Sequence, residues 1–426
     1  MNRAGWASIL AAVCAAAGVP AVAAVPAAPT CLTGTLTYSR PDAEAGPHLP
    51  VVTAPARNAN WALYDSAHPS PDDVPLAASL TDTAGRFRAC ATGVAGSDLY
   101  LVFRAQSSTL WEVLDDDGAE GEPHTFTVPL LAVSGSRELG DIAVPAALAG
   151  AWKIVDTMNL LWWNRPAAAG SCWTSHDDSE SCERISFVWP SVSGQPGGVS
   201  YFTTLGFVYL TAADADTRHV TLHEAGHYFQ WLWQGKQWAE VNNCSPHYIN
   251  LVSSPSCAFT EGFADAVAAY TLGDNRYVWS NGQSADFEND AFTPNWDSGS
   301  ATQGRVSSSL LDLWRGPDGG WDRTLELLTT MVPADFHDYF YNGRPTVGLS
   351  TTGAAARILR EHTADRPSPG YGGAPRSIDG PIPHTPIGPR LTDRVEHDPR
   401  QRAKPPRPEQ PKHRWTQRKP HGPTLG

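Results

Sequence analysis

The stretch Thr221-Leu222-His223-Glu224-Ala225-Gly226-His227-Tyr228-Phe229-Gln230 decides how this chain is read. Two histidines four apart on a helix lie one turn above each other on the same face, so His223 and His227 can address a single ion. Glu224 sits beside them and can reach a water on that ion. Zinc takes imidazole nitrogen and carboxylate oxygen, and two His with one Glu leave a fourth position open for water. An isolated H-E-x-x-H also arises by chance, so the surroundings have to carry the case. Asp214 and Asp216 are helix-start signals and Gly235 is a stop signal, which predicts a helix over Thr217–Gln234 of about 18 residues and ~27 Å. The motif falls in its middle. Val220, Leu222, Ala225, Phe229, Leu232 and Trp233 are spread round the cylinder, as in a central, mostly buried helix. Gly226, which costs about 1 kcal/mol relative to Ala in a helix interior, is expected to make room for another backbone. His219, one turn before His223, reads as a histidine that supports a ligand or faces solvent rather than one that binds metal.

A third ligand has to come from elsewhere, and Glu261 in F-T-E-G-F-A-D-A-V-A-A-Y is the best candidate. Thr260 can cap a new helix ending near Gly273, and Asp265 comes one turn after Glu261 on the same side. One carboxylate can bind zinc while the other accepts the second ring N–H of a ligand histidine and fixes its tautomer. At this point residues 150 to 360 resemble the gluzincin metallopeptidases, in which a helix with H-E-x-x-H is followed by a helix with E-x-x-x-D. The resemblance implies His223, His227 and Glu261 as zinc ligands, Glu224 as general base and Asp265 as the carboxylate behind a ligand. One departure stands out. The 34 positions from His227 to Glu261 exceed the usual gap in thermolysin-like members, and they contain His247, a rival third ligand ranked below Glu261. Cys244 and Cys257 bracket most of the excess, which reads as an inserted loop stapled by a disulfide.

Further out, residues 1–23 read as a secretory signal peptide: Arg3 at the start, an apolar run from Ile9 to Val19, and the small residues Ala21-Val22-Ala23 at the cleavage site. Prolines at 20, 26 and 29 interrupt the run before it reaches spanning length, so no membrane span is expected once the signal is removed. Its removal takes Cys14 away. Six cysteines remain, Cys31, Cys90, Cys172, Cys182, Cys244 and Cys257, and an even set in an exported chain reads as disulfides. Six allow 15 pairings, and nearest pairing within each region is expected. His176, Asp177 and Asp178, between Cys172 and Cys182, read as loop residues rather than a second metal site.

Residues 30–145 differ in character from residues 146–362. Short β-rich runs recur at Leu32–Tyr38, Trp61–Tyr64, Arg86–Cys90, Leu99–Ala105, Leu110–Leu114 and Thr125–Val128, separated by turn clusters such as D-T-A-G, which predicts an antiparallel β-sandwich. The pattern resembles a transthyretin-like or carboxypeptidase-regulatory-like domain. Asp115, Asp116, Asp117 and Glu120 read as an acidic hairpin tip rather than a calcium site. A helix over about Ala146–Trp163 then opens a mainly helical, zincin-like domain at 146–362, with strands at Ile185–Trp189 and Phe207–Leu210. In the resembling family the latter lies along the cleft and pairs with extended substrate. Helices are predicted near Thr302–Trp314, Trp321–Met331 and Thr352–His362. Tyr277, Arg305, His337 and Tyr339 are the candidates for an oxyanion stabiliser, whereas Tyr270 faces the opposite side of its helix from Glu261.

Residues 363–426 hold 14 prolines, no apolar periodicity, and 12 Lys and Arg against 6 Asp and Glu. Such a tail cannot bury enough surface to fold. With its +6 removed from the formal −13 of the whole chain, residues 1–362 carry −19. An acidic body with an export signal disfavours nucleic acid as a partner. The fold class expected is multidomain α+β. The function expected is a secreted zinc endopeptidase acting on protein or peptide substrates, with another zinc hydrolase, such as an aminopeptidase or amidase, or an inactive binding protein on a protease fold as alternatives.

Overall fold

Each of the six β-rich runs expected before residue 145 forms a strand, and in β1 and β5 the alternation is visible as burial. The computed structural model describes residues 28–66, 74–115, 121–177, 182–190 and 200–365. The signal segment with Cys14, Asp116, Asp117, Glu120, Asp178 and the chain after Asp365 lie outside the described residues. In chain order the strands are β1 Thr30–Pro41, β2 Val51–Pro55, β3 Asn60–Asp65, β4 Ala77–Leu80, β5 Arg86–Ala91, β6 Ser97–Arg104, β7 Gln106–Ser107, β8 Trp111–Leu114, β9 Thr125–Val133 and β10 Arg137–Ala143. After helix α1, Ala149–Asn164, come β11 Ile185–Val188, β12 Tyr201–Thr203 and β13 Phe207–Tyr209. The rest is α2 Arg218–Trp233, α3 Pro255–Leu272, the hairpin β14 Arg276–Val278 and β15 Ser284–Asp286, then α4 Gln303–Arg315, α5 Asp322–Leu328 and α6 Gly353–Thr363. The architecture is α+β with a sheet-rich N-terminal region.

Two four-stranded sheets make up that region. One runs β4-β3-β6-β9. In the other, β1 takes β10 along one edge, while its other edge pairs with β5 in its first half and β2 in its second. Leu32, Leu36 and Tyr38 of β1 are buried while the intervening threonines are not fully so, the two-residue period of a half-buried strand. Trp61, Phe87 and Phe103 bridge the sheets, with Phe87 edge-on to Phe103 at 5.4 Å. Cys31 and Cys90 face each other across β1 and β5 and are bonded. One pairing departs from an all-antiparallel sandwich: β1 and β10 run parallel.

The strand at 111–114 goes elsewhere. β8 pairs in parallel with β11, in a sheet ordered β12-β13-β11-β8-β7. The alternating pattern that marks β8 as a strand does not say which sheet receives it. Helix α1 wedges between the two parts: Trp152 meets Phe126 of β9 edge-on at 5.3 Å, and the Trp111 indole donates to the Val155 carbonyl at 3.1 Å. One hydrophobic cluster therefore runs without interruption from Leu32 to Leu359. A similar correction concerns the strand expected to face substrate. β13 has neighbours on both sides, β11 in parallel and β12 antiparallel, so the outer strand among the described residues is β12.

Helices α2, α3 and α4 stack in sequence, and two glycines set how closely. A Cβ on Gly226 would lie 3.1 Å from the Ala264 Cα, so the motif helix and α3 cross backbone to backbone, as its sequence position suggests. On the far side of α3, a Cβ on Gly262 would come within 2.8 Å of the Gln303 carbonyl oxygen on α4. Helix α3 starts earlier than Thr260. Ser254 is its N-cap, accepting the Cys257 N–H at 3.1 Å, with Pro255 in the first turn, where its missing N–H costs nothing. Gly273 ends it in the left-handed conformation. At the other end of the chain, the fold continues past 362: Thr363 is buried and Asp365 bonds His337 and Ser300.

Candidate active site

Helix α2 is buried along its whole length after Arg218, and its first turn is finished by a residue far away in sequence. Thr217, the residue before it, makes no side-chain cap. Instead Glu44, from the turn after β1, accepts the backbone N–H of Arg218 at 2.5 Å and of His219 at 3.2 Å. A carboxylate there meets unsatisfied N–H groups and the positive end of the helix dipole. Arg218 Nε lies 3.4 Å from its other oxygen. Burial pushes the Glu44 carboxyl up, but His219, Arg218, Asp42 and Lys153 outweigh it and hold it below the usual carboxylate range. His219 does not face solvent: it is fully buried, with Nδ1 3.4 Å from Glu44. Nothing in the sequence near Glu44 links it to residue 218.

The middle of α2 meets α3 around one carboxylate oxygen. Glu261 Oε2 lies 3.2 Å from His223 Nε2 and 3.2 Å from His227 Nε2. A carboxylate oxygen of Glu224 and the donor nitrogens of His223 and His227 all lie within 4.8 Å of one another. Asp265 Oδ1 takes the Nδ1–H of His223 at 2.7 Å, which leaves the lone pair of Nε2 pointing toward Glu261. Asp265 is itself held from α4, accepting from Gln303 Nε2 at 2.8 Å and Ser307 Oγ at 3.3 Å. Neither α4 residue is singled out by the sequence. Gln303 and Ser307 stand one turn apart on one face of the helix, but in T-Q-G-R-V-S-S-S their polar neighbours give no signal that marks them out.

His247 also enters the site. Its Nε2 is 3.6 Å from Glu261 Oε2, and the side chain is buried. The Cys244–Cys257 disulfide ties its loop to α3, and the loop's backbone is laced to the start of α4 through Gly304 N–H to Ile249 O at 2.8 Å and Ser253 N–H to Ala301 O at 2.9 Å. The Cys244 and Cys257 sulfurs lie close to His247, but they are bonded to each other and so are not thiolate donors. Burial pushes the Glu261 carboxyl up. The close imidazoles of His227, His247 and His223 outweigh that and hold it well below its ordinary range.

Of the oxyanion candidates, Tyr277 alone abuts the motif, its buried ring edge-on to His223 at 5.7 Å. Arg305 is committed to Asn289 and the Asp297 carbonyl, Tyr339 to Thr324 and Arg344, and His337 to Asp365 and Ser300. Tyr270 packs on Trp314 and Trp321, away from the histidines. Trp231 and Trp233 are core residues, while Trp238 is partly buried with its ring 6.2 Å from that of His227. His176, between Cys172 and Cys182, hydrogen-bonds the Trp233 carbonyl at 3.1 Å and so closes the end of α2. The third disulfide, Cys172–Cys182, closes that loop.

Residues 31–151 match the mycolysin middle domain, and residues 166–363 match the mycolysin C-terminal domain. Fold, site and these matches define a mycolysin-like protease region, of a kind related to the thermolysin family. Within that class the chain belongs to the mycolysin family, whose two domains it carries in order over most of its length. Proteases of this family are secreted and usually depend on a metal, and three disulfides suit an oxidising compartment. No helix among the described residues is long and apolar enough to cross a membrane. No curated relative matches the chain. Among solved structures, a 9R-lipoxygenase from Cyanothece PCC8801 aligns at 19% identity with a TM-score of 0.18, over 28% of this chain and 16% of that one, which is too slight to bear on the fold.

Proposed function

We propose that this chain is a secreted zinc endopeptidase of the gluzincin kind, with a transthyretin-like domain before its catalytic domain. The observation that carries the reading is the meeting of His223 Nε2 and His227 Nε2 at 3.2 Å from one buried oxygen of Glu261. The Nδ1–H of His223 goes to Asp265, so its Nε2 lone pair faces the Glu261 carboxylate, and a cation between them would offset the repulsion. Two imidazole nitrogens around one buried carboxylate oxygen are the donor set that a divalent ion such as zinc takes. His223, His227 and Glu261 would hold it. Zinc bound there supplies a Lewis acid that polarises a carbonyl and makes water nucleophilic near neutral pH.

The chain's own residues do the rest. Glu224 takes the proton of the attacking water and passes it to the leaving amine. Asp265, fixed by Gln303 and Ser307, keeps His223 in the tautomer that presents Nε2. β12, the outer strand of its sheet among the described residues, is the edge along which an extended peptide would lie. Phe202 of that strand packs edge-on against Tyr228 of the motif helix at 5.2 Å, which keeps edge and motif in register.

Glu224→Gln tests the reading, because it keeps shape and fold while removing the proton acceptor. Casein cleavage by the full chain should fall by roughly 10²- to 10⁴-fold with zinc content unchanged. If the variant cleaves as fast as the parent, or the parent cleaves neither casein nor a broad peptide library, the peptidase reading fails and a zinc hydrolase of another class or an inactive binding protein takes its place.

A further inference from the structure

We infer that His247 is a fourth protein donor at the same centre, so that the resting chain holds its metal in a closed set of three imidazoles and one carboxylate. The inference rests on the zinc reading above and goes beyond it, since the two-helix motif accounts for only three donors and leaves the fourth position to water.

Three observations carry it. The first is spacing. Glu261 Oε2 stands 3.2, 3.2 and 3.6 Å from the Nε2 atoms of His223, His227 and His247. Donors at ~2.0–2.1 Å from a tetrahedral zinc are about 3.3–3.4 Å apart, so all three edges from Glu261 are close to those of one coordination tetrahedron. The second is tautomer. His247 Nδ1 lies 2.8 Å from the Cys244 carbonyl oxygen, which can only accept, so Nδ1 carries the proton and Nε2 presents a lone pair toward Glu261. His223 achieves the same through Asp265. A hydrogen bond on the far ring nitrogen is the usual way of orienting a ligand histidine. The third is rigidity. The loop that carries His247 is fastened to α3 by a disulfide and to the start of α4 by backbone hydrogen bonds, so its imidazole is held at the site rather than passing through it.

Four protein donors make a closed set of the structural kind, whereas a hydrolytic centre needs one position open. The fastened loop then presents a fourth donor that an entering substrate displaces, the His247 side chain rotating aside while the loop backbone stays in place.

X-ray absorption on the zinc-loaded full chain counts the imidazoles directly. Three imidazoles and one oxygen are expected; two imidazoles with additional light oxygen donors would overturn the inference while leaving the zinc reading intact. A parent chain that takes up no zinc would overturn both. Variants give a second measurement. His247→Ala and His247→Gln should each weaken zinc binding by about 100-fold or more, beyond what loss of a supporting residue costs. Replacing zinc by cobalt provides a spectrum. The cobalt parent should not respond to azide, and cobalt-loaded His247→Gln should respond, because a position has opened. Unchanged zinc affinity in both variants, or a parent that takes azide as readily as the variant, would overturn the inference.

Discussion

At the scale of single residues, helical spacing puts His223 and His227 on one face of a helix with Glu224 beside them, and Glu261 and Asp265 on one side of another, while their roles come from the resemblance to the gluzincins. What spacing cannot supply is the set of residues that orient them from other helices. Asp265 illustrates both. Its position one turn after Glu261 points to a supporting role, but Gln303 and Ser307, which fix it, are 38 and 42 positions away. Asp265→Asn should therefore weaken zinc binding by roughly 10- to 100-fold and recover activity when zinc is raised, as a competition titration against a chelator will measure. A second pair lies outside the site. The His337 ring is held above its ordinary pKa by its hydrogen bond to Asp365, against the pull of burial, and Asp365 is held below its own despite burial, mainly by His337. The raised histidine stabilises the fold fully below its unfolded pKa of about 6.5 and loses that effect as pH climbs through the folded value. The lowered carboxyl stabilises above about 3.9 and fails below it. Thermal melts of His337→Gln should therefore trail the parent by about 0.5–1 kcal/mol between roughly pH 4 and 6.5, with the gap shrinking in alkali. An equal gap at all pH values would reject the pairing as its cause.

At the scale of elements, α2 was legible because a helix apolar all round has to be buried, whereas the strand at 111–114 was legible only as a strand. Periodicity reports which residues face inward, and it is silent on which sheet supplies the partner edge. The same limit applies to β13: its apolar run reads equally well at an edge or inside a sheet, and three residues of β12 decide it. The start of α3 is hidden for a different reason, because Thr260 is a good cap by type, yet Ser254-Pro255 is a better one by position and by hydrogen bond. The α2–α3–α4 stack is where packing and site meet. Gly262→Ala would place a Cβ 2.8 Å from the Gln303 carbonyl and from Val306, so α4 has to back away, carrying Gln303 off Asp265. Urea unfolding should show a loss of about 1–3 kcal/mol despite the gain in helix propensity. Zinc affinity should fall with it, and a variant as stable as the parent would show that the stack has room.

At the scale of the whole molecule, a boundary near residue 145 fits the change in composition but not the packing. β8 and Glu44, both before it, bond to β11 and α2 beyond it, and α1 is packed from both sides. Composition changes where the chain changes style, and a continuous core forms wherever apolar faces meet. Glu44 has a kinetic consequence. It reaches the start of α2 from 175 positions away, so closing that contact carries the entropy cost of a long loop, whereas α2 can find α3 within a few tens of residues. A contact made after the rate-limiting barrier slows unfolding without hastening folding. Removing it with Glu44→Ala should cost about 0.5–2 kcal/mol as a lost helix cap. In stopped-flow measurements the whole of that loss should appear as faster unfolding, about fivefold for each ~1 kcal/mol, with the refolding arm unchanged. Slower refolding would mean instead that the turn after β1 and the motif helix meet early. For a protein that works outside the cell, the unfolding arm is the one that sets its working lifetime. A single carboxylate in the sheet-rich half would then govern how long the helix in the other half survives.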